Sequence, residues 1–255
     1  MLPASEIVIA CLAAVAAGFI NALAGGGTLI SFPALVALGI PGISANITST
    51  VALCPGYLGG AIAQKKDLRG QGKRLWLLVP AGIIGGIGGG ILLLCISPDI
   101  FHILVPFLIL LASVLLAVQD RVRAWVENHS GKGGSKKRGL PGTFLPVSLA
   151  AVYGGYFGAG LSVIVLAVLG LFIDDTLTRL SALKQCISLS VNGAAAVFFI
   201  FSGLVVWPFA LIMAAGALAG GALGGSVAGH INPVLLRWTV VVIGLVVGII
   251  LLARM

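Results

Sequence analysis

Charge is what this sequence has least of. Of 255 residues, 15 are Lys or Arg and 7 are Asp or Glu, 9% together, where a soluble domain carries about 25%. So few charges cannot wet a globular surface, which excludes a soluble enzyme, a nucleic-acid-binding module and a disordered chain. The acidic residues, Glu6, Asp67, Asp99, Asp120, Glu127, Asp174 and Asp175, all fall at the predicted ends of apolar segments or in loops. With no carboxylate in mid-membrane to relay protons or hold sodium, a cation transporter or carboxylate-driven pump is disfavoured. Cys11, Cys54, Cys95 and Cys186 have no CxxC spacing and read as small packing residues. His102, His129 and His230 are too scattered for a metal site, and no Walker P-loop is present. Cys54 and Cys186 are the only candidate nucleophiles, and neither has a base beside it in sequence. No enzyme activity, cofactor or metal is therefore expected.

Apolar residues make up 59% of the chain, glycines number 37, and the mean hydropathy is +1.17. Glycine at this level is costly in soluble helices and common where membrane helices pack backbone to backbone. The expected fold is an all-α polytopic membrane protein in a lipid bilayer. No side chain between Glu6 and Lys65 is charged, a run too long for one span of about 20 residues. Glycine and proline divide it into segments 7–23, a short 27–38, and 44–64. Segments 75–95 and 101–118 follow, then a basic linker over 119–142, then 143–157, 158–173, 181–202, 207–229 and 233–253. Residues 1–6 lack the basic start of a signal peptide, so 7–23 is read as a permanent part of the fold.

The basic residues cluster. Lys65, Lys66, Arg69, Lys73 and Arg74 lie in 64–74; Arg121, Arg123, Lys132, Lys136, Lys137 and Arg138 lie in 119–142. The positive-inside bias places both loops in the cytoplasm. The two halves also match: GGTLISFPALVALG from Gly26 corresponds to FGAGLSVIVLAVLG from Phe157, and Gly85, Gly89 and Gly90 to Gly216, Gly220 and Gly221. Residues 1–118 and 143–255 therefore read as two repeats of about five apolar segments each. An odd number per half inverts the second copy, the architecture in which substrate sits near the midplane and access alternates.

The short segments direct attention to chemistry. One begins after Gly25, Gly26 and Gly27 and opens with Thr28; the other begins at Gly158-Ala159-Gly160 and opens with Ser162. A helix starting within the bilayer leaves backbone N–H groups and the positive end of its dipole uncovered, which suits an anion. Close helix packing is the alternative use of these glycines. Nearby polar residues are Asn21, Asn46, Thr48 and Ser49 in the first half and Lys184, Gln185 and Asn192 in the second. Helix-to-helix hydrogen bonds are the plain assignment for each hydroxyl taken singly. Lys184, just before the uncharged run 185–236, either snorkels to the interface or serves as the counter-charge of an anion. Arg237 beside Trp238 reads as a helix-end anchor at the interface.

Over GFINALAGGGTLISFPALVALGIPGISANITST, and again over YGGYFGAGLSVIVLAVLG, LSALKQ, GALAGGALGG and NPVLLRW, the chain resembles the sulfite exporter TauE/SafE family of membrane permeases. The resemblance spans nearly the whole chain and rests on the order and spacing of glycine patterns. It implies transport of a small sulfur-containing oxyanion, such as sulfite or an organosulfonate, across the inner membrane. The second glycine triplet reads GAGLS, so the two half-sites are chemically unequal. An anion channel, or a permease for another small organic anion, shares these features. The glycine-rich faces serve internal packing or a homodimer equally well.

Overall fold

In the computed structural model, residues 3–23, 26–129, 140–227 and 233–253 are described. Among them are eleven α-helices and no strand: α1 (Ala4–Leu23), α2 (Thr28–Ala37), α3 (Gly42–Ala63), α4 (Gly72–Cys95), α5 (Pro98–Ala117), α6 (Gln119–His129), α7 (Phe144–Tyr156), α8 (Leu161–Phe172), α9 (Leu177–Ile200), α10 (Trp207–Val227) and α11 (Pro233–Ala253). The apolar segments read from the sequence each correspond to one helix. Gly25 and the 130–139 part of the basic linker lie outside the described residues.

Helices α1, α4, α5, α9, α10 and α11 are long and apolar enough to cross a membrane. Large side chains such as Leu12, Leu145, Leu211 and Leu235 face outward, as a lipid-facing surface requires. Helices α2 and α8 have 10 and 12 residues, about 15 and 18 Å of a hydrocarbon core about 30 Å thick. Helix α3 is long, at 22 residues, and carries the polar cluster Asn46, Thr48, Ser49 and Thr50.

The linker holds an element that its polar composition had hidden. QDRVRAWVENH is an 11-residue helix, α6. Its sequence supports the fold: Val122 and Val126 lie one turn apart on a face packed against the helical core, and Asp120 in the first turn favours the helix dipole.

Glycines set the closest approaches. The most extensive contacts pair α1 with α10 and α4 with α7. A methyl at Gly89 would lie 2.1 Å from the Val152 carbonyl oxygen, and one at Gly220 would lie 2.0 Å from that of Val15. Likewise a methyl at Gly155 would meet the Gly86 carbonyl at 2.1 Å, and one at Gly18 the Ala217 carbonyl at 2.2 Å. The α4–α7 seam thus repeats, residue for residue, in α10–α1. Because backbone rather than a movable side chain occupies each space, Gly89→Ala and Gly220→Ala should each cost about 1–3 kcal/mol. Gly72→Ala, with nothing within 4 Å of the added methyl, should be neutral. Melting temperatures of the purified variants in detergent check this.

At one end of the bundle the loops are tied by charge. Asp175 accepts from Arg74 and from Arg179 Nε at 3.0 Å; Arg179 Nη1 donates to the Arg69 carbonyl at 3.1 Å. Gln71 Nε2 completes the clasp by donating to the Arg179 carbonyl at 3.0 Å. Partial burial works to raise the Asp175 carboxyl, but hydrogen bonds from Arg74 and Arg179 prevail and hold it below the ordinary 3.8. A carboxyl depressed on folding adds stability above its unfolded value and loses it as pH falls through the folded one. The melting-temperature gap between wild type and Asp175→Asn should therefore be largest near neutral pH and close as pH drops below 3.8.

Candidate functional site

A polar cavity of about 140 Å³ lies where the two short helices begin. That is room for a small ion and several waters. Gly26 and Thr28 bring the start of α2 to its wall, and Gly158, Gly160, Leu161 and Ser162 bring the start of α8. Asn21 near the end of α1 and Tyr57 of α3 join the first group. Lys184, Gln185 and Ser188 come from α9.

The α8 start is built for an open backbone. Gly158 and Gly160 have φ of +78° and +77°, the left-handed region that glycine enters at no steric cost. The Leu161 N–H bonds to the Gly158 carbonyl at 3.2 Å, and those of Val163 and Ile164 to Gly160. The N–H groups of Gly160 and Ser162 have no hydrogen-bond partner among the described residues. Two donors and the dipole's positive end thus remain at the cavity wall. Across the cavity, α2 begins after Gly26, whose φ is +90°.

Lys184 is half-buried and lies about 10 Å along α9 from its start, at 1.5 Å per residue. It has no ion pair or hydrogen bond among the described residues. Ser188 Oγ and Gln119 Oε1, both buried and on the cavity wall, have no partner there either. Among the described residues no Asp or Glu lines the cavity. The enclosure is polar and carries positive charge.

Of the residues singled out from sequence, Asn21, Gly26, Thr28, Gly158, Gly160, Ser162, Lys184 and Gln185 line this cavity together. Asn46, Thr48, Ser49, Asn192 and Gly27 do not. Asn46 Nδ2 donates to the Tyr156 carbonyl at 2.8 Å, and Ser49 shares a 2.6 Å hydrogen bond with Ser31. Thr48 Oγ1 accepts from the Val206 N–H at 3.1 Å, and Asn192 Nδ2 donates to the Ser188 carbonyl at 2.8 Å. Gly27 packs against the Ala17 carbonyl. These groups tie helices and turns together.

Sequence reading missed Tyr57, Gln64, Gln119, Arg123 and Ser181, all on the wall. Gln64 and Gln119 sit where apolar segments meet basic loops, a boundary that could have flagged them. Arg237 differs from its expected role as an interfacial anchor. It is 4% exposed and donates both terminal nitrogens to the Asp120 carboxylate at the start of α6. That hydrogen-bonded pair is the main reason the Asp120 carboxyl lies below its ordinary value.

The family model for the sulfite exporter TauE/SafE matches residues 10–251. The chain belongs to the TauE/SafE family. Its relatives include the probable membrane transporter protein YfcA of Escherichia coli (strain K12), 23% identical over 239 residues that cover 92% of this chain and 85% of that protein. A probable membrane transporter protein of Haemophilus influenzae is 26% identical over 226 residues, 89% of this chain and 86% of its own. The probable membrane transporter protein ORF9 of a Sinorhizobium species is 27% identical over 251 residues, 95% and 90%. No solved structure matches. With its membrane-spanning helices, the chain is a membrane transporter of the TauE/SafE type.

Proposed function

We propose that this transporter carries a small sulfur-containing oxyanion, such as sulfite or an organosulfonate, out of the cell across the inner membrane. The observation that carries the reading is the cavity itself. Two short-helix starts and the Lys184 ammonium, unpaired among the described residues, meet in one small polar space that no described carboxylate lines. A sulfonate or sulfite offers three acceptor oxygens. The Gly160 and Ser162 N–H groups, the Ser188 and Thr28 hydroxyls and Lys184 can satisfy them together.

Residues 1–118 and 143–255 act as inverted repeats joined by the 119–142 linker, a reading supported by the matched glycine seams of α4–α7 and α10–α1. Loops 64–74 and 119–142 face the cytoplasm, as their positive charge favours. Cavity residues Gln64 and Gln119 lie at helix ends at the edge of those loops, so the cavity opens inward. Toward the opposite side, the buried rings of Phe32 and Phe157 pack edge to face at 5.5 Å, and Phe101 and Tyr156 pack at 6.1 Å. Alternating access then consists of opening this aromatic layer while the basic end closes, around a fixed anion site.

Flux through the purified protein in proteoliposomes tests the reading, with labelled sulfite and pH gradients of either sign. Saturable flux with competition by a C2 sulfonate is expected. Acceleration by an inwardly acidic interior would mark a proton carried on the substrate, and indifference to the gradient would mark uniport. Flux that rises linearly with concentration would mark a channel, and no flux of any oxyanion would reject the substrate class.

A further inference from the structure

We propose that the linker helix α6 is part of the anion site. Arg123 supplies a second fixed positive charge beside Lys184, so the cavity selects a doubly charged anion over a singly charged one of the same shape. The inference rests on the anion-site reading above and adds the charge of the ligand and the residue that reads it.

Arg123 and Lys184 line the same cavity and are near enough for their like charges to interact. Neither has an ion pair or hydrogen bond among the described residues. The neighbouring carboxylate on α6, Asp120, has its oxygens taken by Arg237. Two like charges brought into a partly desolvated space repel unless an anion sits between them. One monoanion neutralises half of that charge, whereas one dianion neutralises both. The wall also holds polar groups ready for a ligand: Ser188 is 1% exposed and Gln119 is 8% exposed, and each has an oxygen without a partner. Ser188 can turn its O–H toward an anion, and the Gln119 amide can flip to present its NH₂.

The placement of Arg123 is built rather than incidental. Val126, one turn further along α6, fills the space left by Gly170 of α8, where an added methyl would lie 2.4 Å from its Cγ2. Asp120, one turn before, is clasped by the buried Arg237 of α11. Helix α6 is thus fastened on both sides of the residue it offers to the cavity. Asp120 and Arg237 act on the ligand through Arg123 and are positioning residues.

Sulfate and methanesulfonate are the probes, because both are tetrahedral at sulfur and differ in charge. Isothermal titration of the purified full chain in detergent at one neutral pH should show sulfate bound at least about tenfold more tightly. Arg123→Ala should weaken sulfate at least about tenfold and methanesulfonate by about threefold, because the attraction scales with the charge of the ligand, so the preference shrinks, while Arg123→Lys retains much of it. Asp120→Asn should lower the preference part-way, again with sulfate losing more than methanesulfonate. Equal affinities in the wild type, or an Arg123→Ala variant that weakens both anions equally, would overturn the inference. Selective sulfate binding without flux in proteoliposomes would refute the transport reading and leave this one standing. Anion flux with a preference unmoved by Arg123→Ala would do the reverse, and binding of neither probe would overturn both.

Discussion

Lys184→Met should raise the KM for anion transport about 10- to 100-fold, with little change in melting temperature. The magnitude follows from what the ammonium does for a bound anion: a charge-assisted hydrogen bond in a partly buried site contributes about 1.5–3 kcal/mol. The unchanged stability follows from what Lys184 does for the protein alone. It has no ion-pair or hydrogen-bond partner among the described residues, so its removal orphans no buried group. Removing an unpaired charge from the wall of α9 relieves desolvation instead. Lys184→Arg keeps the charge and should keep transport within about tenfold, since the longer guanidinium crowds a cavity of about 140 Å³. Flux measured against anion concentration for the three proteins, with melting curves, checks both halves. If Lys184→Met transported with wild-type KM, the lysine would be a snorkelling residue at the edge of α9 and not a counter-charge.

The second large effect is expected at the break before α8. Gly158→Ala and Gly160→Ala place a Cβ on residues with φ of +78° and +77°, at about 1–2 kcal/mol of strain each. At Gly160 the added methyl also lies 3.2 Å from Leu115 Cδ1. The least costly relief is to move φ toward negative values, which turns the Gly160 and Ser162 N–H groups away from the cavity. Transport in the double variant should fall at least about tenfold, beyond what the loss of stability accounts for, because the donors aimed at the anion are lost together. Gly193→Ala on α9, where nothing lies within 4 Å of the new methyl, is the matching control and should transport normally. Flux per folded protein, normalised by a monodisperse chromatographic peak, separates misfolding from loss of the site.

Much of this architecture is written in local sequence signals. Hydropathy, with breaks at glycine and proline, places every apolar segment, because membrane spans are set by length and composition rather than by distant partners. The two short-helix starts are legible for the same reason: Gly25-Gly26-Gly27 and Gly158-Ala159-Gly160 interrupt the chain where a span would otherwise continue. What the sequence withholds is which polar groups share one space. Asn46, Thr48 and Ser49 carry the same kinds of donor and acceptor as Asn21, Thr28 and Ser162, and only tertiary contacts send their bonds to Tyr156, Val206 and Ser31. Arg237 meets Asp120 across a separation of 117 residues, a pairing that no local pattern announces. Arg123 sits in a stretch whose charge reads as a solvated loop, yet the fit of Val126 to Gly170 carries it to the cavity. Tyr57 lies in an apolar run, where a lone tyrosine reads as packing.

The central claim is that the cavity between the starts of α2 and α8 is the place where the anion binds during transport. Ser162, on its wall and half-buried, offers the most direct test. In a protein whose Cys11, Cys54, Cys95 and Cys186 have been replaced, Ser162→Cys is reacted with a charged thiol reagent while methanesulfonate, which unlike sulfite does not itself consume the reagent, is titrated, and flux is measured on the same samples. The account predicts that methanesulfonate protects Cys introduced at this one position with a half-effect near its KM for flux, and that labelling stops transport. Labelling that is indifferent to methanesulfonate, with transport continuing through the modified protein, would contradict it.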